Sequence, residues 1–169
     1  MDNRKVKPEK FILDATAGYR MMWINKQHPN CIYLDEREEV NPDIVGDFRD
    51  LKKFKNETFR LVLFDPPHSI HSEASAKAFG MLDSYGCLKP ETWSSDLKLG
   101  LKECWRVLKP YGVLIFKWNE TDKSIKQISQ YFPTKPLFGQ ITNTSKRRNS
   151  QLGGTYWFCF MKILEENKK

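Results

Sequence analysis

The sequence predicts an α/β protein with a doubly wound, mainly parallel sheet that ends in an antiparallel C-terminal hairpin. Three observations support this prediction. Short apolar runs alternate with segments of helical spacing, which is the pattern of a parallel sheet. An acidic residue stands at the end of each of the first four runs. Two further apolar runs near the C-terminus are separated by a polar, basic segment, which indicates a hairpin.

Length and composition favour one domain. A chain of 169 residues buries about 70% of the surface that its unfolded form exposes, so a full core is possible. Apolar residues make up 40% of the chain and charged residues 29%, a balance suited to a folded domain with a charged surface. We therefore expect a single domain over residues 1–169, with flexible ends at 1–9 and 164–169.

The cysteines and the N-terminal segment bear on the cellular compartment. The four cysteines are dispersed without a Cys-x-x-Cys pair, so neither a zinc knuckle nor a disulfide framework is indicated. No apolar stretch behind the basic N-terminus is long enough for a signal or a membrane span. We expect a cytoplasmic protein with reduced thiols, no membrane association and no metal site.

The net charge of +7 favours a polyanionic partner such as a nucleic acid. Basic residues cluster at 4–10, at 52–55 and in the run Lys146, Arg147 and Arg148. The last run falls in the predicted hairpin loop, and we interpret it as a substrate-binding surface. A solvated, lysine-rich surface without a partner is the alternative for each cluster.

The first half of the chain contains four predicted strands, each short, apolar and followed by or ending in an acid. They span residues 11–14, 32–34, 44–45 and 61–64, and the acids are Asp14, Asp35, Asp47 and Asp65. A tight turn at 15–18 and a helix over 19–26 are expected between the first two strands.

The second half begins with a long polar stretch, 69–96, which we interpret as a substrate loop with one short helix at 74–79. Apolar residues at helical spacing from Leu97 to Leu108 then predict a helix, with Asp96 as its cap. A fifth strand over 113–116, a helix over 123–131 and hairpin strands over 138–142 and 155–161 complete the expected order.

The most informative motif is Asp65, Pro66, Pro67 and His68, directly after the fourth apolar run. The carboxyl ends of strands are where open α/β sheets bind ligands. Each proline fixes its own φ and keeps the residue before it extended, so the corner is rigid. The Asp65 carboxylate and nearby carbonyls can accept hydrogen bonds from a planar amine, as on a nucleobase. A turn acid without a catalytic role is the alternative.

Three motifs in this order resemble those of the class I S-adenosylmethionine-dependent methyltransferases, which have a Rossmann-like fold. Within that class they resemble the amino-methyltransferases with an Asp/Asn-Pro-Pro-aromatic motif. The motifs are the Asp-x-x-x-Gly turn from Asp14 to Gly18, the Asp-Pro-Pro corner, and the Leu-Lys-Pro-Tyr-Gly turn at 108–112. The resemblance covers residues 11–161. His68 stands where the family has an aromatic residue that stacks on a flipped base, and Tyr111 replaces a glycine.

The resemblance implies S-adenosylmethionine as cofactor and assigns residues to its parts. They are Asp14, Ala15 and Gly18 for the methionine part, Asp35 for the ribose with Glu36 as competitor, and Asp47 and Phe48 for the adenine. Gly18 would permit close backbone approach because it lacks a Cβ.

The resemblance also implies the reaction, which is N-methylation of an exocyclic base amine, most simply adenine in DNA or RNA. Asp65 and the Pro66 carbonyl would receive the amine hydrogens and direct its lone pair at the methyl group. Lys117, Trp118 and Asn119 follow the fifth strand and are candidates for substrate contact, with a core role as the alternative for Trp118. His68 is either a stacking platform or a hydrogen-bonding wall residue.

Two other functions remain open at this point. One is methylation of a small amine or heterocyclic metabolite, and the other is a noncatalytic nucleic-acid-binding module with the same fold. Because the chain is small, target recognition would come from the 69–96 stretch, from the basic hairpin loop or from a partner subunit, which includes a second copy of the chain.

Overall fold

The computed structural model describes residues 9–72, 86–143 and 154–164. The described strands are β1 (Ile12–Asp14), β2 (Cys31–Asp35), β3 (Ile44–Val45), β4 (Phe59–Phe64), β5 (Leu108–Asn119), β6 (Phe138–Asn143) and β7 (Thr155–Met161). The described helices are α1 (Trp93–Val107) and α2 (Ile125–Ile128), with 3-10 helices at Glu38–Val40 and Ser129–Tyr131.

The strands form one sheet in the order β3-β2-β1-β4-β5-β7-β6. The first five strands are parallel to one another, and β7 runs antiparallel to both β5 and β6. The predicted fold class is therefore confirmed. The strand order reverses direction between β1 and β4, which creates the crevice where open α/β sheets bind ligands.

The register of the central strands brings the predicted motifs to one edge of the sheet. Asp14 pairs with Leu63 between β1 and β4, and Phe64 pairs with Phe116 between β4 and β5. Because these strands are parallel, the residues that follow them emerge side by side at the same edge. The turn after β1, the Asp-Pro-Pro corner and the end of β5 consequently meet.

The main core lies between the sheet and α1. Leu13, Val62 and Leu114 on three neighbouring strands are fully buried, and Leu97 and Leu101 of α1 pack into the same cluster. Side chains at alternate strand positions point to the same face, which explains how single residues from several strands form one layer. The helix begins at Trp93, one turn before the predicted cap, so Asp96 lies inside its first turn and accepts a hydrogen bond from Thr92 Oγ1 at 2.7 Å.

The helix predicted over 19–26 is wrong, because this segment forms a series of turns. Arg20 has a left-handed φ of 57°, which an α-helix does not tolerate. The Trp23 indole donates to Asp14 Oδ2 at 2.7 Å and so ties the segment to the end of β1. Trp23 packs against the cluster of Ile12, Cys31 and Tyr33, which covers this part of the sheet without a helix.

The remaining expected elements differ in detail. The helix predicted over 123–131 is split into α2 and the following 3-10 helix, and it begins with a capping box between Ser124 and Gln127. The short helix predicted at 74–79 lies outside the described residues.

The predicted turn at 108–112 is a bulge inside β5. Leu108 pairs with Phe59, but Val113 pairs with Leu61, so β5 contains extra residues at this point. A Cβ at Gly112 would lie 2.8 Å from Leu108 Cδ1 and 2.9 Å from a backbone oxygen, which explains the glycine. Tyr111, which replaces the expected glycine, has a left-handed φ of 60° and is 64% exposed.

Gly100 lets α1 lie close to the sheet and to the residues after β3. A Cβ at this position would lie 2.6 Å from Phe48 Cδ2 and 2.7 Å from Phe64 Cζ. Both rings are buried, with their centroids 5.3 Å apart, and have little room to move.

Replacing Gly100 with alanine is expected to destabilise the protein by about 1 to 3 kcal/mol, because the added methyl group overpacks the contact with the two rings. Urea unfolding measures the change. Lys98→Ala, at an exposed position on the same helix, is the matched control and is expected to stay close to wild type. Equal stability of the two variants would contradict the close approach of α1.

Candidate functional site

A cleft of about 370 Å³, open to solvent, lies at the carboxyl edge of the sheet. Residues predicted from the sequence form much of its wall, namely Ala15, Asp35, Glu36, Phe48, Asp65 and Pro67. The cleft is therefore at the position that the parallel topology favours.

The turn after β1 is fixed to both neighbouring strands. Ala15 is buried, and its N–H donates to Leu63 O at 3.0 Å, while Thr16 Oγ1 accepts from the Asp65 N–H at 2.8 Å. Gly18, with a φ of 48°, donates its N–H to Asp35 Oδ2 at 2.7 Å. Gly18 is not among the residues that line the cleft. It acts on the cleft by fixing the turn against the end of β2.

Asp35 presents a carboxylate that is already paired with Arg37. The Arg37 Nε lies 3.0 Å from Asp35 Oδ1, and the Arg37 backbone N–H donates to the same oxygen at 3.0 Å. Arg37 Nη1 is buried and has no hydrogen-bond partner among the described residues. This part of the cleft wall thus contains a carboxylate acceptor beside a cationic donor, a combination suited to a ligand hydroxyl group.

Asp47 and Phe48 differ in their surroundings. The Arg49 side chain donates to Asp47 and lies 3.3 Å from Asp96 on α1. Partial burial opposes ionisation of Asp47, but the hydrogen bonds and charge of Arg49 outweigh it and lower the pKa of this carboxyl. Phe48 lines the cleft, whereas Asp47 does not. The ring is therefore better placed than the acid to meet a planar ligand.

Asp14 lies beneath the cleft wall and does not line it. Its side chain accepts from Trp23 Nε1 at 2.7 Å and from the Thr16 N–H at 3.3 Å. Burial raises the pKa of Asp14 to about 7, against the opposite effect of these hydrogen bonds. Asp14 therefore stabilises the turn through the Thr16 N–H, and its contact with a cofactor stays a prediction.

Asp65 combines a fixed carboxylate with an unfilled acceptor. Lys117 Nζ donates to Asp65 Oδ2 at 2.7 Å. His68 Nε2 lies 3.1 Å from Oδ1 but outside hydrogen-bond geometry, so Oδ1 is buried without a hydrogen-bond partner among the described residues. Burial opposes ionisation, but His68 and Lys117 outweigh it and lower the pKa of Asp65. The corner therefore presents an ionised oxygen that can accept a hydrogen bond.

The other residues predicted for substrate contact are occupied within the protein. Trp118 is fully buried and donates its Nε1–H to Lys123 O at 2.8 Å, so the stacking interpretation is wrong and the core alternative holds. His68 packs edge-on against Trp118, with ring centroids 5.2 Å apart. Asn119 donates to Thr155 Oγ1 at 2.7 Å and accepts from Thr121 Oγ1 at 2.5 Å. The run Lys146, Arg147 and Arg148 lies outside the described residues.

Four cleft residues were not predicted, namely Thr16, Arg37, Gly46 and Gly86. Thr16 lies within the recognised turn, so its hydroxyl could have been found from the sequence. Gly86 has a φ of 70° and lies beside Pro67. Nothing in the sequence brings these two residues together, because their proximity depends on the return of the chain after the corner.

Neither a membrane-spanning helix nor a cluster of metal ligands is present in the described residues. None of the helices in the part of the chain that the structure describes is long and apolar enough to span a membrane. Within the same ranges, no group of three or more histidine, cysteine or acidic side chains is arranged to bind a metal ion.

The strand order and the cleft at its reversal define the fold of the class I S-adenosylmethionine-dependent methyltransferases. Solved structures with this fold include TrmN from Thermus thermophilus, which is 13% identical with a TM-score of 0.57. The alignment covers 93% of this chain but 45% of TrmN, so this chain spans less than half of that protein.

Two other solved structures are similar over most of their length. An rRNA methylase from Streptococcus thermophilus is 11% identical over 94% of this chain and 90% of its own, with a TM-score of 0.55. The 1,6-didemethyltoxoflavin-N1-methyltransferase from Burkholderia thailandensis, with bound S-adenosylhomocysteine, is 12% identical over 93% and 72%, with a TM-score of 0.55. No protein-family model and no curated protein matches the sequence.

The raised pKa of Asp14 predicts a pH-dependent cost to stability. Between its usual pKa of 3.8 and its folded pKa of about 7, the native state binds more protons than the unfolded state. The contribution of Asp14 to stability therefore falls as pH rises through this window. A shift of this size corresponds to on the order of 4 kcal/mol.

Asp14→Asn is uncharged at every pH, so its free energy of unfolding relative to wild type should increase from pH 4 to pH 7 and then level off. Urea unfolding of both proteins at a series of pH values measures this difference. Parallel stability curves for the two proteins would show that Asp14 does not titrate with a raised pKa.

Proposed function

We propose that the protein is an S-adenosylmethionine-dependent N-methyltransferase that acts on an exocyclic amine of a nucleobase, adenine, in DNA or RNA. The observation that supports this most directly is Asp65 Oδ1 at a rigid corner beside the cleft, a buried acceptor that has no hydrogen-bond partner among the described residues and lies 3.1 Å from His68 Nε2. A buried acceptor is costly to leave unsatisfied, so it favours a ligand that donates a hydrogen bond.

The residues present fit the cofactor. Phe48 provides an apolar wall for a planar base, and Asp35 with Arg37 provides an acceptor and a donor for ribose hydroxyls. Ala15 and Thr16 are held close to Asp65 by the turn after β1. When bound, S-adenosylmethionine supplies a methyl group already activated by its sulfonium charge, so the protein need only position the acceptor.

The corner would prepare the acceptor nitrogen. The lone pair of an exocyclic amine is delocalised into its ring, and hydrogen bonds from the amine to Asp65 Oδ1 and to the Pro66 carbonyl favour a pyramidal nitrogen. With the cofactor bound, the methyl group would pass from its sulfur to this nitrogen, and the amine would lose one proton to the solvent. Pro66 and Pro67 keep the two acceptors fixed during this step.

Charge supports a nucleic acid as the acceptor molecule. The net charge of +7 and the run Lys146, Arg147 and Arg148 suit phosphate contacts. An rRNA methylase is among the structures with the same fold. A small cytoplasmic enzyme of this kind would obtain target specificity from the basic loop, from a partner subunit or from a homodimer.

A small aromatic amine or heterocycle is the second candidate acceptor. His68 packs against Trp118 and is only 19% exposed, which leaves less of its ring accessible to a flipped base than an open stacking platform would have. A methyltransferase named for a heterocyclic substrate also shares the fold.

The first experiment uses methyl-labelled S-adenosylmethionine with separate pools of DNA, RNA and small metabolites. Label is expected in one nucleic acid, and Asp65→Ala is expected to lower the rate by on the order of 100-fold because the acceptor is no longer oriented. Binding of S-adenosylhomocysteine, measured by calorimetry, should remain. Asp50→Ala, at an exposed acid paired with Lys52, is the control.

The outcomes separate the three functions. Label in metabolites alone would support the second candidate. No transfer by the wild type, with nucleic-acid binding that Asp65→Ala leaves unchanged, would contradict a methyltransferase and support a noncatalytic binding module.

The basic run is tested by salt dependence. Replacing Lys146, Arg147 and Arg148 with glutamine should weaken nucleic-acid binding and reduce the slope of log affinity against log salt by up to about 3. The matched control replaces the exposed Lys52, Lys53 and Lys55 in the same way. Equal effects of the two triple variants would indicate general charge attraction, and no effect of either would contradict a phosphate-binding role for the run.

A further inference from the structure

Lys117 is placed beside Asp65 by the pairing of two strands. Phe64 and Phe116 are partners between β4 and β5, so the next residue on each strand emerges at the same level of the sheet. The Lys117 Nζ and Asp65 Oδ2 are 2.7 Å apart, although the residues are separated by 52 positions in the sequence. Their side chains are 25% and 19% exposed. A short, largely buried ion pair thus spans the ends of β4 and β5.

The ammonium group is also fixed from its other side. Lys117 pairs with Trp157 between β5 and β7, and its Nζ lies 5.7 Å from the centre of the Trp157 ring. An aromatic ring within about 6 Å attracts a cation through its quadrupole. Lys117 is therefore held between a carboxylate and a ring, each on a neighbouring strand.

This arrangement leaves one acceptor of Asp65 available. The Asp65 N–H donates to Thr16 Oγ1, which fixes the backbone, and Lys117 occupies Oδ2. Oδ1 is the carboxylate oxygen without a hydrogen-bond partner among the described residues, with His68 Nε2 3.1 Å from it outside hydrogen-bond geometry. A carboxylate fixed at its backbone and at one oxygen can present the other in one direction only.

We propose that Lys117 is a positioning residue that holds Asp65 Oδ2 and thereby directs Oδ1 towards the amine of the methyl acceptor. This replaces the substrate contact expected from the sequence, and it rests on the proposed function for its catalytic consequence. Lys117 cannot turn towards a substrate phosphate without leaving Asp65 Oδ2 without its donor, which is unfavourable for a buried carboxylate.

The charge of Lys117 also affects whether the Asp65 carboxyl group is ionised. Burial favours the neutral acid, and His68 together with Lys117 outweighs it, so the pKa of Asp65 is lowered. The charged or titratable groups that act on this carboxyl are His68 on the same corner, Lys117 on β5 and Asp14 on β1. Without Lys117, burial and Asp14 both favour protonation. A protonated carboxyl group would not orient an amine in the same way, so activity should be lost at a higher pH as the medium is acidified.

The test compares Lys117→Met, which removes the charge, with Lys117→Arg, which keeps it. Carbon-13 NMR titration follows the Asp65 carboxyl, assigned by its absence in Asp65→Asn. The Asp65 midpoint should rise by about 1 to 3 pH units in Lys117→Met and stay near wild type in Lys117→Arg. Lys126→Met, at an exposed position of α2, is the control and should change nothing.

The second measurement is the pH profile of methyl transfer. For Lys117→Met the acid limb should move to higher pH in step with the titration, with kcat lowered and KM for the acceptor little changed. A raised KM with an unmoved acid limb would instead indicate a substrate contact and overturn the proposal. If Lys117→Met does not fold, Lys117→Gln, which keeps a hydrogen-bond donor without the charge, is judged by the same two measurements.

The two proposals fail in different ways. If the wild type transfers no methyl group to any acceptor, the proposed function is wrong. The titration still tests whether Lys117 lowers the pKa of Asp65. If the wild type is active and the Asp65 midpoint is the same in folded Lys117→Met, the positioning role is wrong while the methyltransferase assignment stands.

Discussion

The structure of the site depends on the ion pair between Asp65 and Lys117. It joins the ends of β4 and β5 at 2.7 Å, and the Asp65 backbone joins the same point to Thr16 after β1. Three neighbouring strands therefore meet at one residue. The cost of leaving its carboxylate buried and unpaired explains the ion pair with Lys117, and the Thr16 hydroxyl satisfies its backbone N–H.

The other acids at this edge of the sheet also need a partner or a neutral form, because a buried charge without a partner is unfavourable. Four carboxylates follow parallel strands and lie close together, so each needs its own compensation. Arg37 and Arg49 each stand two residues after the acid with which they pair, Asp35 and Asp47. Among the described residues Asp14 forms no ion pair, and burial raises its pKa to about 7. The edge thus combines fixed charges with one group that titrates near neutral pH.

These pairings also shape the cleft. Arg37 and Arg49 pair with Asp35 and Asp47, and of these four only Asp35 and Arg37 line the cleft, together with Gly46 and Phe48. His68 packs on the buried Trp118, so the aromatic side chains near the corner contribute to its rigidity more than to its exposed surface. A ligand would therefore meet an apolar wall with a few fixed polar atoms, as small-molecule sites usually offer.

The sequence by itself determined the strands, their mainly parallel order and the Asp65 corner, because alternating apolar runs, prolines and terminal acids are local signals. It also identified Ala15, Asp35 and Phe48 as residues of the cleft. Tertiary structure alone decided that Trp118 is buried, that Asp14 faces Trp23, that Gly86 lies beside Pro67 and that Lys117 pairs with Asp65. Each of these contacts joins residues that are close only in the folded chain. The pairing of strands that are distant in the sequence decides which side chains meet.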